Sequence, residues 1–404
     1  MTVTPEMDRR NGLILMTTYL LIYLSAPVIY VGVVQAALVD KLGASAMISN
    51  LPSAAFQFAQ FAPLLLAWIV PHRLEQPVVV WANLTTASLM SVVCVALVLP
   101  LPPSVRIGSV VLHGLFQGFT GSASQIFTIQ CLRRGTTEQG LARALRLTFT
   151  LGPIAAVAGS LGAQYILRHG IRGVPFPYDF ALLYCVGIPS VLGVAWLSSR
   201  YQIIDVPDEP RRGFFKYLRE TVRDFSAVPA LVLLWFGYAA WNAALSGTSN
   251  LSLYTREALG RDPKDFSGII NAIRFGTKAV AGWFLGMLAL KKGMRASVLA
   301  TLAIFAVGIA WPLIAPGYSY LACFGFMGAG ELGGTYFPNY AALLSSPANA
   351  PRFVSLLTLA APVASFAPVL YGAVSDRFGF RSSFVLGSLV AIVGLVLVSR
   401  IRKD

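Results

Sequence analysis

Uncharged apolar runs long enough to cross a lipid bilayer recur along this chain, and they restrict its fold more than any other feature. Residues 11–39, 42–71, 76–105, 147–167, 180–199, 225–255, 353–375 and 382–399 contain no Asp, Glu, Lys or Arg. A helix needs about 20 residues to cross the hydrocarbon core. Four further runs carry polar interruptions: 107–132 with His113, 265–290 with Arg274 and Lys278, 296–317 ending at Pro312 and Pro316, and 318–346 with Glu331. Unpaired backbone groups are too costly in lipid, so the twelve spans must be helices or a closed barrel. The strict apolar–polar alternation of barrel strands is missing, which leaves helices. An all-α integral membrane protein of 12 transmembrane helices is therefore expected. With 56% hydrophobic and 12% charged residues, against roughly 25% charged in an average soluble domain, lipid is the predicted solvent for most of the surface.

The formal charge of +14 would indicate a nucleic-acid partner only if the charge gathered on one solvated face. Topology explains it instead. With the N-terminus inside, 20 of the 31 Lys and Arg residues fall in segments on that side, 9 fall on the other side, and the remaining two are Arg274 and Lys278. The positive-inside rule then places both termini in the cytoplasm, and an even number of spans follows. The expectation is a multi-pass protein of the cell inner (plasma) membrane with the lipid bilayer and no nucleic acid as partner. The first apolar run exceeds a signal h-region of roughly 7–15 residues and lacks a small-residue cleavage site, so it is read as the first span. Cys94, Cys131, Cys185 and Cys323 show no C-x-x-C spacing, which fits buried thiols rather than a metal or disulfide site.

Between the spans, the one sizeable hydrophilic segment runs from Arg200 to Asp224 and contains Asp205, Pro207, Asp208, Glu209 and Pro210 before a basic stretch. It divides the chain into residues 1–200, a linker at 201–224 and residues 225–404, with six spans in each half. Phe214, Phe215, Tyr217, Leu218 and Val222 alternate with Lys216, Arg219 and Arg223, a pattern that suits an amphipathic helix on the inner membrane surface or a solvated tether. A glycine, a basic residue, a glycine and an arginine recur after spans 5, 8 and 11. The copies are Gly162 with Arg168, Gly170 and Arg172; Gly286 with Lys291, Gly293 and Arg295; and Gly372 with Asp376, Arg377, Gly379 and Arg381. Four three-helix units are implied.

Across essentially its whole length the chain resembles the major facilitator superfamily, whose signature after spans 2 and 8 reads G-x-x-x-D-R-x-G-x-R. The stretch from Gly286 to Arg295 keeps the glycines and bases but has Leu290 in place of the acid. After span 2, Pro71 occupies the acid position, with His72 and Arg73 as basic remnants, and the fullest match, Gly372 to Arg381, follows span 11. In span 4, Gln117-Gly118 matches a second signature in which an arginine stands three residues earlier, where this chain has Gly114. Gly152-Pro153 and Gly159 in span 5 match a fragment of the drug:proton antiporter motif. The resemblance implies two pseudo-symmetric six-helix bundles with spans 1, 4, 7 and 10 around a central cavity. It also implies that the lock supplied by the inner acid is weakened here.

Charged residues at mid-membrane carry the functional signal, because each costs about 2.5–3.5 kcal/mol on insertion scales. Asn271, Arg274 and Lys278 fall on one helical face. They could bind an anionic substrate group, with the arginine suited to bidentate contact with carboxylate or phosphate, or they could pair with Glu331 as a structural ion pair. Glu331, among Gly328, Gly330, Gly333 and Gly334, could exchange a proton as it faces these cations, or serve as their fixed partner. His113 heads a stripe with Gln117, Thr120, Ser124 and Thr128 and could relay a proton or simply pack. Gln117 on span 4, Tyr238 and Asn242 on span 7 and Tyr30 on span 1 complete the candidate binding set.

The sequence contains no G-x-S-x-G, P-loop or metal-spaced histidine cluster, so an enzyme, a metal site and a cofactor are not expected. The function expected is a monomeric secondary transporter moving a small, anionic organic solute by alternating access with a coupled proton. The alternatives are a multidrug antiporter exporting cationic amphiphiles through Glu331, and a non-transporting receptor or scaffold signalling through the linker.

Overall fold

Proline placement and capping set many of the helix starts. Thr4 caps the first helix, its hydroxyl accepting from the Met7 amide at 3.2 Å, with Pro5 in the first turn, where the missing N–H has no intrahelical partner to lose. The computed structural model describes residues 3–169, 174–205, 213–346 and 349–401. Gly170, Arg172 and the linker residues from Pro207 to Arg212 lie outside the described residues. In chain order the helices of seven residues or more are α1 (Pro5–Leu24), α2 (Val33–Lys41), α3 (Leu51–Phe58), α4 (Ala62–Ile69), α5 (Glu75–Val98), α6 (Pro103–Gly135), α7 (Glu138–His169), α8 (Tyr178–Ser198), α9 (Phe214–Ser226), α10 (Pro229–Leu245), α11 (Gly247–Leu253), α12 (Ser267–Lys292), α13 (Met294–Ala310), α14 (Ala322–Gly330), α15 (Gly333–Leu343), α16 (Ala350–Thr358), α17 (Ala367–Phe378) and α18 (Phe380–Ser399). Among the described residues there is no strand.

Among the described residues, eight helical stretches are long and apolar enough to cross a bilayer: 72–98, 138–168, 178–198, 229–259, 263–292, 294–313, 350–378 and 380–399. The other four expected spans are also helical, but three are interrupted and one is more polar. Span 1 breaks between α1 and α2, span 2 between α3 and α4, and span 10 between α14 and α15, while α6 carries the polar stripe headed by His113. The interruptions fall at proline- and glycine-containing stretches, where helical hydrogen bonds are easiest to give up.

Helices before residue 200 and those after residue 224 pack mainly within their own group. α5 lies against α6 and α8, and α1 against α7; in the second group α18 lies against α10 and α13, and α14 against α12 and α13. Since lipid is as apolar as leucine, burial alone does not hold such helices together, and close van der Waals packing through small residues does. A Cβ on Gly159 would stand 1.9 Å from the Leu24 carbonyl oxygen, and one on Gly118 would stand 2.0 Å from that of Phe56. Phe180, Tyr184 and Met90 fill the core of the first group, and Phe305, Phe324 and Phe337 that of the second. A smaller cluster of Tyr23, Ala26, Ala156 and Phe275 straddles the seam, where α12 lies along α7.

The start of α1, residues 202–204, α9 and the end of α18 gather at one end, called here the linker end. Asn11 donates to the carbonyls of Gly135 and Gln202, both at 2.7 Å, and Arg295 donates to the Ser399 carbonyl at 2.6 Å. The linker segment does form a helix: Phe214 packs at a tilt against Trp68 with centroids 5.2 Å apart, Phe225 meets Phe353 edge-on at 5.5 Å, and Phe215 is exposed. The repeated glycine motif is also a repeated structure. Gly293 (φ 84°, ψ 165°) and Gly379 (φ 83°, ψ 159°) make the same turn into the next helix, in a region that favours glycine.

Polar ties between the two groups concentrate at the far end. Arg256 pairs with Asp40 at 2.6 Å, Lys264 with Asp179 at 2.9 Å, and Lys41 with Asp262. The Asp376 carboxylate accepts from the amides of Ala46 and Met47 at 2.8 and 3.0 Å. Deeper along the seam, Asn50 meets Asn250 at 2.6 Å, Ser53 meets Ser249 at 3.0 Å, and Gln57 meets Ser246 at 2.8 Å. At the linker end, by contrast, the ion pairs Glu75–Arg134 and Asp224–Arg352 each stay on one side of the seam. The motif acid missing at position 290 leaves Leu290 exposed, while its counterpart Asp376 bonds across the seam at the far end.

Candidate functional site

Glu331 sits at the two-residue interruption between α14 and α15, and both of its carboxylate oxygens are taken. Arg274 donates its Nε–H to Oε1, and the Lys278 ammonium lies 3.2 Å from Oε2. Arg274 and Glu331 are buried, whereas the Lys278 side chain is 22% exposed. Such a group is tolerated in a membrane protein only when its charges are paired or face water.

Local packing explains why these residues meet. Gly328 lies directly on the backbone of α12, where a Cβ would stand 2.0 Å from the Arg274 carbonyl oxygen, so α12 and α14 approach closely at the level of the arginine. Trp241 donates its indole N–H to the Gly330 carbonyl at 2.9 Å, using an acceptor at the helix end. Gly330 faces the Phe305 ring and Gly333 faces Trp241, with Cβ positions 2.5 and 2.3 Å from those side chains. The glycines around Glu331 thus make room for two aromatic rings and a helix backbone.

From the first group of helices, aromatic side chains close over the site. Tyr30 stacks on Tyr23 with centroids 6.0 Å apart and meets Phe275 edge-on at 5.4 Å. The Arg274 guanidinium lies 6.0 Å from the Phe275 ring. Two cations, one carboxylate and a tyrosine pair therefore converge at the seam, leaving one positive charge in excess.

The remaining candidates have different surroundings. Asn271 is buried one turn before Arg274 on the same face. Tyr238 stacks on Trp241 at 5.3 Å, and Asn242 donates to the Tyr238 carbonyl at 2.9 Å, one turn from the Ser246–Gln57 contact across the seam. His113 and Gln117 stand apart from the Glu331 cluster. His113 is fully buried, edge-on to Tyr184 at 5.4 Å, with both ring nitrogens unpartnered, and the side-chain oxygen of Gln117 is likewise unpartnered. Further down the stripe, Thr120 bonds Thr86 at 2.8 Å and Ser124 accepts from Asn83 at 3.0 Å, joining α6 to α5. Sequence reading missed Trp241 and Phe275. Trp241 falls three residues after Tyr238 and could have been added to that stripe, but Phe275 carries no polar signal.

The fold has counterparts among solved structures. A mutant of the nucleoside transporter NupG aligns over 97% of this chain and 100% of its own, with 12% identity and a TM-score of 0.73. A D-xylose-proton symporter aligns over 98% of both chains, with 12% identity and a TM-score of 0.73. The POT family transporter PepTSo aligns over 97% of both chains, with 10% identity and a TM-score of 0.70. No protein-family model matches the sequence, and no curated protein aligns with it significantly. Apolar helices of membrane-crossing length and this whole-chain agreement of architecture make the chain a multi-pass membrane protein with the fold of the major facilitator transporters.

Proposed function

We propose that this protein is a secondary transporter that carries a small organic anion across the inner membrane by alternating access, coupled to a proton. The twelve helical segments cross the membrane, with the linker end in the cytoplasm, and the molecule works as a monomer. One observation carries this reading: a single carboxylate, Glu331, is shared by Arg274 and Lys278 at the seam between the two groups of helices. An anionic substrate would compete with Glu331 for the same two donors. Protonation of Glu331 would free Arg274 for bidentate contact with a carboxylate or phosphate, and its deprotonation would help expel the substrate. That exchange links the two fluxes.

The chemistry of the site also weighs against export of cationic amphiphiles, which would need Glu331 free rather than bridged by two cations. Carriers of nucleosides and D-xylose among the solved structures of this fold favour transport over a scaffold role. His113, enclosed among α6 and α8 side chains, is assigned packing, and proton coupling is assigned to Glu331. Equilibrium binding of mono- and dicarboxylates to the purified protein tests the proposal. Arg274→Gln and Lys278→Gln should each abolish binding of whichever acid stabilises the parent, and unchanged affinity in both variants would rule out the anion site.

A further inference from the structure

We propose that the linker end carries a site for one anionic phospholipid between α1 and α8, separate from the substrate site. The site is a cavity of about 360 Å3 that opens on the outside of the bundle, within the range of small-ligand pockets, roughly 300–1,000 Å3. Arg9 and Arg10 from the first turns of α1 and Arg200 just beyond α8 stand around it. All three are exposed, and none has a carboxylate partner among the described residues. Glu6 lines the same cavity, so cations exceed anions there by three to one. The Arg200 guanidinium lies 5.2 Å from the Trp196 ring centroid, a cation–π contact that steadies it beside the cavity. Leu13 and Trp196, exposed on the bundle surface, continue the cavity as an apolar track.

Guanidinium groups above a tryptophan at the end of a membrane helix suit a phosphodiester with acyl chains below it. Arginine binds phosphate oxygens bidentately, tryptophan sits at the headgroup level, and basic pockets between helices on the cytoplasmic side take anionic headgroups. The exposed Leu13 and Trp196 commit the site to a lipid rather than to a soluble anion. The inference rests on the membrane embedding and on the linker end being cytoplasmic, and it requires no transport activity.

Native mass spectrometry of the purified full chain tests it, with phosphatidylglycerol and phosphatidylcholine as probes. Phosphatidylglycerol should be retained at one per protein in preference to phosphatidylcholine, and the triple variant R9Q/R10Q/R200Q should weaken retention at least about tenfold. The control K291Q/K292Q should retain the lipid as the parent does. Matching melting temperatures would establish that these exposed substitutions leave the fold intact. Three outcomes would overturn the site: equal retention of phosphatidylcholine, equal loss in the control, or displacement of the lipid by millimolar inorganic phosphate. Because no flux is read, failure here is distinguishable from failure of the transport proposal.

Discussion

Arg274 and Glu331, separated by 57 residues in the chain, join their side chains where the helix carrying the carboxylate is interrupted. With Lys278 on the second oxygen, each carboxylate oxygen is engaged by a cation. Any ligand that reaches these cations must do so in competition with it.

Glu331→Gln should therefore separate exchange from coupling. Removing one partner of a buried pair destabilises by about 3–5 kcal/mol, so the melting temperature should fall and an anionic substrate should restore more of it than in the parent. In liposomes the variant should exchange substrate but fail to accumulate it on a pH gradient. Accumulation at the parent's level would move the coupling proton to another residue.

Gly328→Ala should force α12 and α14 apart at the level of Arg274. Its Cβ would meet the Arg274 carbonyl oxygen at 2.0 Å, whereas one on Gly286, on the same helix as Arg274, meets nothing within 4 Å. Overpacking costs roughly 1–3 kcal/mol, while alanine for glycine in an open helical position gains up to about 1 kcal/mol. Melting temperature and substrate binding should both drop in Gly328→Ala and hold or improve in Gly286→Ala.

Asp376→Ala should loosen the far end, because the carboxylate takes the amides of Ala46 and Met47 from across the seam. Hydrogen bonds to a charged group contribute about 1.5–3 kcal/mol each when buried, and these are exposed, so the loss should be smaller. A cysteine replacing Ser53, which is buried against Ser249, reports on it in a cysteine-free background. Its labelling by an impermeant maleimide should rise roughly tenfold in the Asp376→Ala variant, and an unchanged rate would remove Asp376 from the closure.

The linker helix should hold its place through neutral pH and lose it only in acid. Arg223 and then Arg352, at 3.0 and 2.7 Å, hold the Asp224 carboxyl below its ordinary value. A depressed pKa means that the tie is complete above the usual carboxylate pKa of about 3.9 and is lost as pH falls through the lower value. Spin labels at Arg219 and Ser355 should keep their separation from pH 8 to pH 5 and spread only once the pH has fallen below the ordinary carboxylate value of about 3.9. Asp224→Asn should show the wider separation at neutral pH.

Much of this architecture is set locally and is therefore legible in the sequence. Helix, membrane crossing and the polar face of Asn271, Arg274 and Lys278 follow from apolar run length and the 3.6-residue period, which neighbours in the chain decide. The repeat Gly286–Arg295 and Gly372–Arg381 was readable for the same reason, since each copy makes its own glycine turn. Only the tertiary structure decided which carboxylate oxygen each cation takes, and that α6 directs Thr120 and Ser124 to α5. Only it brought Trp241 and Phe275 to the site. Those outcomes depend on which helices touch and how closely, through contacts such as Gly328 on Arg274 that link residues far apart in the chain. Sequence periodicity places a side chain on a face of its own helix, and packing alone determines what that face meets.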